Sequence, residues 1–207
     1  MEKGADIKEL IIVRHGEPDH LINNLTGGWT NSHLTDLGKK QALQTGKYLA
    51  ELIGDRAFGF YSSDLARAIE TSELIAEALP KKPVLTPALR ELNNGVAADL
   101  SNDDAAKIMN PITQPLVDWY PYPKSENWRE MSMRVIEFLD EVTDDLALVV
   151  THGGSANAAI VWWFGLGIGQ ANIAFELDVC SVSRFNVNRW GERNAIKIND
   201  TAHLLSQ

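Results

Sequence analysis

Two histidines and two arginines stand directly after segments that are predicted to be buried strands. Arg14 and His15 follow the first such segment, and Arg67 comes shortly after the second. His152 follows a later segment of similar apolar character. Arginine offers planar pairs of N–H donors that suit phosphate, and a neutral imidazole can attack phosphorus and form a covalent intermediate. These residue types predict phosphoryl transfer, with one imidazole as nucleophile and the other as a donor to the transferring oxygens.

An acid and a pair of glycines complete this candidate site. A leaving alkoxide needs a proton, and Glu91, which follows a short predicted strand, is the best placed acid in the linear order. Gly153 and Gly154 allow backbone N–H groups to approach an anion, and a helix that starts there would add its positive end. Each residue alone has an ordinary structural interpretation, such as a surface arginine or a tight turn. Their joint placement at strand ends favours the functional interpretation.

The elements that must position these residues alternate between strands and helices. The predicted strands cover residues 8–13, 57–61, 84–85, 146–150, 173–177, 182–187 and 195–198. The predicted helices run from an N-cap at Thr35 to about 53, from a cap at Asp64 to about 79, over 103–109, over 128–142, and from just after His152. Such alternation predicts an α/β fold with a mainly parallel sheet covered on both faces. Because ligands bind at the carboxyl ends of parallel strands, the candidate residues should meet at one edge.

The length and the proline content predict one domain with one unusual segment. The chain has 207 residues, which fits a single domain spanning 1–207. Five prolines fall between Pro87 and Pro123, among mixed polar and aromatic residues. We therefore interpret 87–126 as a long excursion that serves as a lid or a pocket wall.

Charge and cysteine content exclude several classes of protein. A net charge of −9 argues against a nucleic-acid binder and against adhesion to anionic membranes. Cys180 is the only cysteine, so it cannot form an intrachain disulfide, and we expect it to be a small buried residue in a strand. The apolar stretch 158–168 is shorter than the roughly 20 residues needed to cross a bilayer. We expect a cytoplasmic protein, with a homodimer through an exposed edge strand as one option.

Ordered segments of the sequence resemble the histidine phosphatase superfamily, which includes the phosphoglycerate mutases and many small phosphatases. The matching segments are 10–17, 28–31, 34–38, 62–68 with 70–71, 89–92 with Gly95, 123–128 with Arg134, and 149–154. The resemblance implies a three-layer α/β/α sandwich of the phosphoglycerate mutase-like type that uses neither a metal nor another cofactor.

The resemblance also implies roles for individual residues. His15 becomes the phosphoryl acceptor and Glu91 the proton donor. The phosphate pocket consists of Arg14, Arg67 and His152, and Gly153 and Gly28 join them as predicted substrate-binding residues. The expected partner is a small-molecule phosphate ester.

The chain departs from the family pattern in three places. Pro18 and Leu21 replace polar residues that are common in the family, and Asn23 or Asn24 is a candidate substitute. After Gly95, the residues at 97–99 differ from the frequent Trp-Glu-Gly run. Lys124 and Ser125 stand where paired glycines are common.

A phosphomonoester hydrolase is the preferred prediction, with two alternatives. Cofactor-dependent mutases carry Glu-Arg-His-Tyr-Gly at the acid segment, whereas Glu91 is followed here by Leu-Asn-Asn-Gly, which favours water as the acceptor. Loss of the polar groups at Pro18 and Leu21 leaves a phosphate-binding regulatory module open.

Two further groups of residues are assigned from the sequence. Three other histidines are expected to lie in loops or the tail and to be solvated: His20, His33 and His203. Four aromatic residues either pack the excursion onto the sheet or line an entrance that contacts an apolar leaving group: Trp119, Tyr120, Tyr122 and Trp128.

Overall fold

The computed structural model describes residues 7–168 and 173–205, and strands and helices alternate through them. The strands are β1 (Glu9–Arg14), β2 (Gly59–Ser63), β3 (Val84–Thr86), β4 (Leu146–Thr151), β5 (Val182–Val187) and β6 (Arg193–Asp200). The helices are α1 (Asp19–Ile22), α2 (Asp36–Ile53), α3 (Ala66–Ala76), α4 (Asn102–Lys107), α5 (Trp128–Glu141) and α6 (Gly153–Trp163). Short 3₁₀ turns cover Pro87–Leu89, Gly95–Ala97, Leu116–Asp118 and Ala202–Leu204.

The six strands form one mixed sheet in the order β3-β2-β4-β1-β5-β6. The first four run parallel to one another, β5 is antiparallel to β1, and β6 is antiparallel to β5. The predicted α/β fold with a mainly parallel sheet is confirmed. In the register of β1 and β4, Arg14 lies opposite Thr151. The two residues that follow, His15 and His152, therefore leave the sheet side by side.

Helices cover both faces of this sheet, as the resemblance implied. Alternate residues of β1 point to opposite faces, because side chains alternate along a strand. Leu10 and Ile12 join the core beneath α5 and α6. Ile11 and Val13 join the core beneath α2 and α3. Burial of each such side chain stabilises the fold by about 1.5–3 kcal/mol, so β1 anchors the residues that follow it between two cores.

The helix starts confirm one predicted cap and correct another. Thr35 caps α2, and its side chain accepts a hydrogen bond from the Gly38 N–H at 3.0 Å. The predicted cap at Asp64 is wrong, because α3 begins at Ala66 with Leu65 before it. The Asp64 carboxylate is occupied elsewhere, since both oxygens accept hydrogen bonds from Arg90, at 2.6 and 2.7 Å.

The segment 173–177 was predicted as a strand, and this prediction is wrong. It has no regular secondary structure and pairs with no strand among the described residues. The Asn157 side chain bonds both backbone groups of Phe175, accepting from its N–H at 2.6 Å and donating to its carbonyl at 2.9 Å. A side-chain amide therefore replaces the neighbouring strand that would complete a ladder.

Cys180 is buried, as expected, but it lies in a turn just before β5 and not in a strand. Its φ is 53°, and its backbone N–H is shared between the carbonyls of Arg14 and His15 at 3.0 and 3.1 Å. This turn thereby fastens the start of β5 to the end of β1.

The excursion 87–126 contains α4 and three of the 3₁₀ turns. It packs against the loop after α1, where Leu25 forms an isolated bridge with Ser101. Its function as a lid stays a prediction. None of the helices in residues 7–168 and 173–205 has the length and apolar character to span a membrane.

Candidate active site

His15 leaves the end of β1 with its ring only 3% exposed and with both nitrogens bonded. Its Nδ1 lies 2.8 Å from the Gly16 carbonyl. Because a carbonyl can only accept, Nδ1 carries the proton and Nε2 keeps its lone pair. The Nε–H of Arg67 donates to that lone pair at 3.2 Å. Burial, together with the charges of Arg67 and Arg14, holds the pKa of His15 well below its ordinary value, so the ring is neutral at pH 7.

His152 faces His15 across the gap between their two strands, with ring centroids 5.0 Å apart. Its Nε2 lies 2.8 Å from the Ser63 hydroxyl, which also accepts from the Leu65 N–H at 3.3 Å. In the tautomer that accepts the Ser63 hydroxyl proton at Nε2, the proton of the neutral His152 ring lies on Nδ1. Nδ1 is buried and has no hydrogen-bond partner among the described residues. In that tautomer, Nδ1 is a donor available to a ligand oxygen.

Arg67 is 1% exposed, which contradicts the ordinary interpretation as a surface cation. Its Nη2 donates to the Gly28 carbonyl at 2.7 Å, and its Nη1 donates to the Thr30 carbonyl at 3.2 Å and to Ser32 Oγ at 3.3 Å. Burial lowers the pKa of Arg67 to about 10, although Glu91 opposes the shift. The guanidinium therefore remains charged at pH 7.

Gly28 is required by the shape of the loop that holds Arg67. Its φ is +61°, and a Cβ at this position would lie 2.5 Å from Oδ1 of Asn94. The Gly28 carbonyl can thus face Arg67 only with a glycine here. In this structure Gly28 positions Arg67, and a direct contact with substrate stays a prediction.

Arg14 provides the second guanidinium near His15. Its Nη1 donates to the Leu177 carbonyl, whereas its Nε is buried without a hydrogen-bond partner in the described part of the chain. Burial lowers the pKa of Arg14, and the charges of Glu91 and Asp178 oppose this effect. A buried, charged and unpaired N–H is unfavourable unless an anion completes it.

Glu91 lies at the first turn of α6, next to both arginines. Its Oε2 accepts from the Gly154 N–H at 2.9 Å, and its Oε1 accepts from its neighbour Leu92 N–H at 2.8 Å. A Cβ on Gly154 would lie 2.3 Å from Oε1, so this approach needs glycine. The carboxylate is therefore fixed where the positive end of a helix also favours an anion.

Two side chains hold the backbone of this acid segment. The Glu91 carbonyl accepts from Trp29 Nε1 at 2.7 Å and from Arg134 Nη2 at 2.8 Å. Arg134 also donates to the carbonyls of Ala88 and Arg90, at 2.9 and 2.7 Å, and pairs with Glu126. The family-like segments at 28–31 and 123–134 thus position the acid.

The prediction that His20 is solvated is wrong. Its ring is 5% exposed, and its Nδ1 lies 2.8 Å from Ser32 Oγ, the same hydroxyl that accepts from Arg67. Burial and the charge of Arg67 lower the pKa of His20 to about 4. The only signal in the sequence is that His20 follows His15 by five residues, and this does not reveal the loop that brings Ser32 between His20 and Arg67.

The other two histidines lie outside this cluster. His203 is buried, against expectation, and stacks on Tyr48 at 4.8 Å with a hydrogen bond to Thr45. His33 is largely exposed and bonds to Glu70. Within residues 7–168 and 173–205, no group of three or more His, Cys, Asp or Glu side chains is arranged to hold a metal ion.

Five predicted residues, His15, Arg14, Arg67, His152 and Glu91, therefore meet at one edge of the sheet. The model of the histidine phosphatase superfamily (branch 1) matches residues 10–201. The chain belongs to this superfamily. The wide match agrees with the arrangement of the site, since the matched range contains all five of these residues.

Curated relatives within the superfamily carry mutase names. A probable phosphoglycerate mutase, GpmB, from Erwinia tasmaniensis is 31% identical over 85% of this chain and 83% of its own length. A 2,3-bisphosphoglycerate-dependent phosphoglycerate mutase from Rhizobium johnstonii is 33% identical over 73% of this chain and 77% of its own length.

Solved structures with the same fold carry phosphatase names. A mycobacterial glucosyl-3-phosphoglycerate phosphatase in complex with VO3 superposes with a TM-score of 0.79 at 19% identity, covering 94% of this chain and 100% of its own. A phosphoserine phosphatase from Entamoeba histolytica gives 0.71 at 22% identity, covering 95% and 99%. These likenesses confirm the phosphoglycerate mutase-like fold.

Proposed function

We propose that this member of the superfamily hydrolyses phosphate monoesters of small molecules, with His15 as the phosphoryl acceptor and Glu91 as the proton donor. The supporting observation is the state of His15: a neutral ring whose Nε2 lone pair faces the Arg67 guanidinium at 3.2 Å. A neutral nitrogen aimed at cationic donors is the arrangement that attack on a phosphate ester requires.

In the first step, Nε2 of His15 attacks phosphorus and the bond from phosphorus to the ester oxygen breaks. Glu91, in its protonated form, gives its proton to the departing oxygen, so that an alcohol leaves. Before this attack, Arg67 must redirect its Nε–H from the lone pair to a phosphoryl oxygen, because a lone pair that accepts a hydrogen bond cannot bond phosphorus. Arg14 Nε and His152 Nδ1, both buried without partners among the described residues, are the further donors for the charge that develops.

In the second step, the Glu91 carboxylate takes a proton from water. The water oxygen bonds to phosphorus, the bond between phosphorus and Nε2 breaks, and inorganic phosphate leaves. Glu91 is protonated again and His15 is again neutral. The hydrogen bond from Nδ1 to the Gly16 carbonyl at 2.8 Å can persist through both steps, because Nδ1 never loses its proton.

Hydrolysis is preferred over mutase activity because of the acid segment. A mutase must hold a second phosphate near the first. Asn93 and Asn94, which follow Glu91, are occupied by structural hydrogen bonds to Gly95, Thr26, Gly27 and Trp29. Residues 92–95, which follow Glu91, offer no cation for a second phosphate, and Arg90 is paired with Asp64. The mutase names of the relatives nevertheless make interconversion of 2- and 3-phosphoglycerate the required comparison assay.

The test is turnover of p-nitrophenyl phosphate in the presence of EDTA, with His15→Ala as the variant. We expect turnover by the wild type and a loss of at least about a thousandfold in the variant, because the nucleophile acts as a unit with its neighbours. Rapid quenching should trap acid-labile phosphate on the protein. The mycobacterial phosphatase was solved in complex with VO3, and vanadate should likewise inhibit this protein competitively.

His33→Ala is the control, since this histidine lies largely exposed and bonds to Glu70. It should retain turnover within about threefold. If His15→Ala stayed within tenfold of the wild type, His15 would not be the acceptor. Absence of any turnover together with tight phosphate binding would instead favour the regulatory module.

A further inference from the structure

A cavity of about 660 Å³ adjoins the candidate active site. Arg14 and Glu91 line part of its wall, together with Gly153 and Gly154 of α6. A cavity of this size is typical for small-molecule ligands. Its position beside Glu91 means that the group leaving with the ester oxygen would extend into it.

Most of the wall is apolar and comes from four parts of the fold: α5, α6, the 3₁₀ turn Leu116–Asp118 and the segment 173–178. The apolar side chains that matter here are Val117, Trp128, Met131, Ile136, Val161 and Phe175. Trp128 lies beside the start of α6 that holds Glu91, since a Cβ on Gly154 would be 3.1 Å from its ring. The other three aromatic residues of the excursion do not line the cavity. Only Trp128 therefore fits the hypothesis of an aromatic entrance.

Apart from Arg14, the charged residues on the described wall are all acidic. Glu91, Glu176 and Asp178 are the acidic lining residues, and Arg14 is the only basic one. The sequence has no charged residue at 169–172. A carboxylate or a second phosphate on the leaving group would face these acids with no cation of its own, because Arg14 is needed by the transferring phosphoryl group.

The neighbouring guanidinium groups already form ion pairs with carboxylates. Arg90 pairs with Asp64, Arg129 with Asp118 and Arg134 with Glu126. The polar side chain of Asn157 is also occupied, because it bonds the Gly153 carbonyl and both backbone groups of Phe175. None of these groups is free to hold an anionic leaving group.

We propose that the preferred substrate is a phosphate monoester of a largely apolar alcohol without an anionic group, whose hydrocarbon part fills this cavity. The proposal rests on the proposed hydrolase function and names its substrate class. It departs from the phosphoglycerate chemistry in the names of the curated relatives, because a glycerate carboxylate would meet like charge here.

The first experiment measures kcat/KM for ethyl, butyl and hexyl phosphate and for 5-carboxypentyl phosphate. The primary alcohols that leave have similar pKa values, so the chemical step is constant and the series reports contact with the wall. We expect kcat/KM to rise by up to about fourfold for each buried methylene. The terminal carboxylate should lower it by at least about tenfold relative to hexyl phosphate.

Val161→Lys tests the charge argument by adding a cation to the wall at a half-buried position. We expect the preference for hexyl over 5-carboxypentyl phosphate to fall by at least about tenfold. Met133→Lys is the matched control, since Met133 lies on α5 but is exposed and does not line the cavity. It should leave the preference of the wild type unchanged.

Binding of hexylphosphonate and 5-carboxypentylphosphonate by calorimetry separates this proposal from the proposed function, because phosphonates cannot be hydrolysed. Turnover of p-nitrophenyl phosphate with no effect of chain length or carboxylate would overturn the substrate class and leave the hydrolase intact. Preferential binding of hexylphosphonate without turnover of any ester would support the apolar subsite and overturn the hydrolase. Equal binding of the two phosphonates would overturn the subsite.

Discussion

The side chain of His15 is held by two hydrogen bonds of opposite direction. Nδ1 donates to the Gly16 carbonyl, and Nε2 accepts from Arg67. Together they select one tautomer of a neutral ring, which is the form that can attack phosphorus. At the residue scale, the proposed chemistry therefore depends on two local contacts, one from the nucleophile's own loop and one from a residue 52 positions further along the chain.

At the same scale, Glu91→Gln should remove the proton but keep the side chain nearly isosteric. We expect kcat/KM for hexyl phosphate to fall by about a hundredfold or more, because an alkoxide is a poor leaving group without a proton. For p-nitrophenyl phosphate the loss should stay below about tenfold. The measurement is the dependence of kcat/KM on the pKa of the leaving alcohol or phenol. Equal losses across that series would exclude Glu91 as the acid.

At the scale of elements, the start of α6 brings the backbone to the acid. The first turn carries Gly154, whose N–H bonds Glu91 and whose missing side chain leaves room for the carboxylate. Helix α5 supports the same place from the side, through the fork of Arg134 on the Glu91 and Arg90 carbonyls. Two helices on one face of the sheet thus determine where the acid lies.

Gly154→Ala tests this arrangement. Alanine favours a helix over glycine by about 1 kcal/mol, but the new Cβ would lie 2.3 Å from Glu91 Oε1 and must displace it. We expect kcat/KM for hexyl phosphate to fall by at least about tenfold, with a smaller loss for p-nitrophenyl phosphate. The dependence of kcat/KM on the pKa of the leaving alcohol or phenol should resemble that of Glu91→Gln.

Gly153→Ala is the matched comparison, because a Cβ there would lie 3.9 Å from the nearest atom, Glu91 Oε2. This variant should keep the leaving-group dependence of the wild type. If both variants showed the same dependence of kcat/KM on the leaving group, the loss of activity would come from a change at the helix start and not from displacement of Glu91.

At the scale of the whole molecule, four buried histidines link stability to pH. Burial lowers the pKa of His15, His152 and His203 and brings that of His20 to about 4. The histidines of the unfolded chain take up protons near the ordinary pKa of about 6.5, whereas the buried rings of the folded chain stay neutral at that pH. Below this pH the unfolded state binds more protons, so the free energy of unfolding must fall as the pH falls.

We expect the free energy of unfolding to decrease from pH 6.5 downward by up to about 1.4 kcal/mol per pH unit for each of these histidines. For His20 this window ends near pH 4. Urea unfolding at pH 7, 6 and 5 measures the slope. His20→Gln should reduce the slope by up to about 1.4 kcal/mol per pH unit, which corresponds to one proton. An unchanged slope would contradict a buried neutral His20.

Several features of the protein follow from sequence order alone. Apolar runs identified β1 and β4, and the rule for parallel strands placed His15 and His152 at the same edge. The ordered segments identified the superfamily, which the match over 10–201 confirms. These inferences succeeded because strand formation and strand ends depend on nearby residues, which a sequence shows directly.

Only the tertiary structure decided what surrounds those residues. Three features arise where distant loops meet. His20 and Arg67 are buried there, and Asp64 pairs with Arg90 instead of capping α3. The third feature is the cavity, whose wall is mostly apolar with acidic residues among its charged groups. Such contacts depend on strand order and loop packing, because the partners are tens of residues apart and no local pattern marks them. Local motifs in the sequence identify the reactive residues of the site, whereas the packing of distant loops determines the electrostatics of the site and its fit to a leaving group.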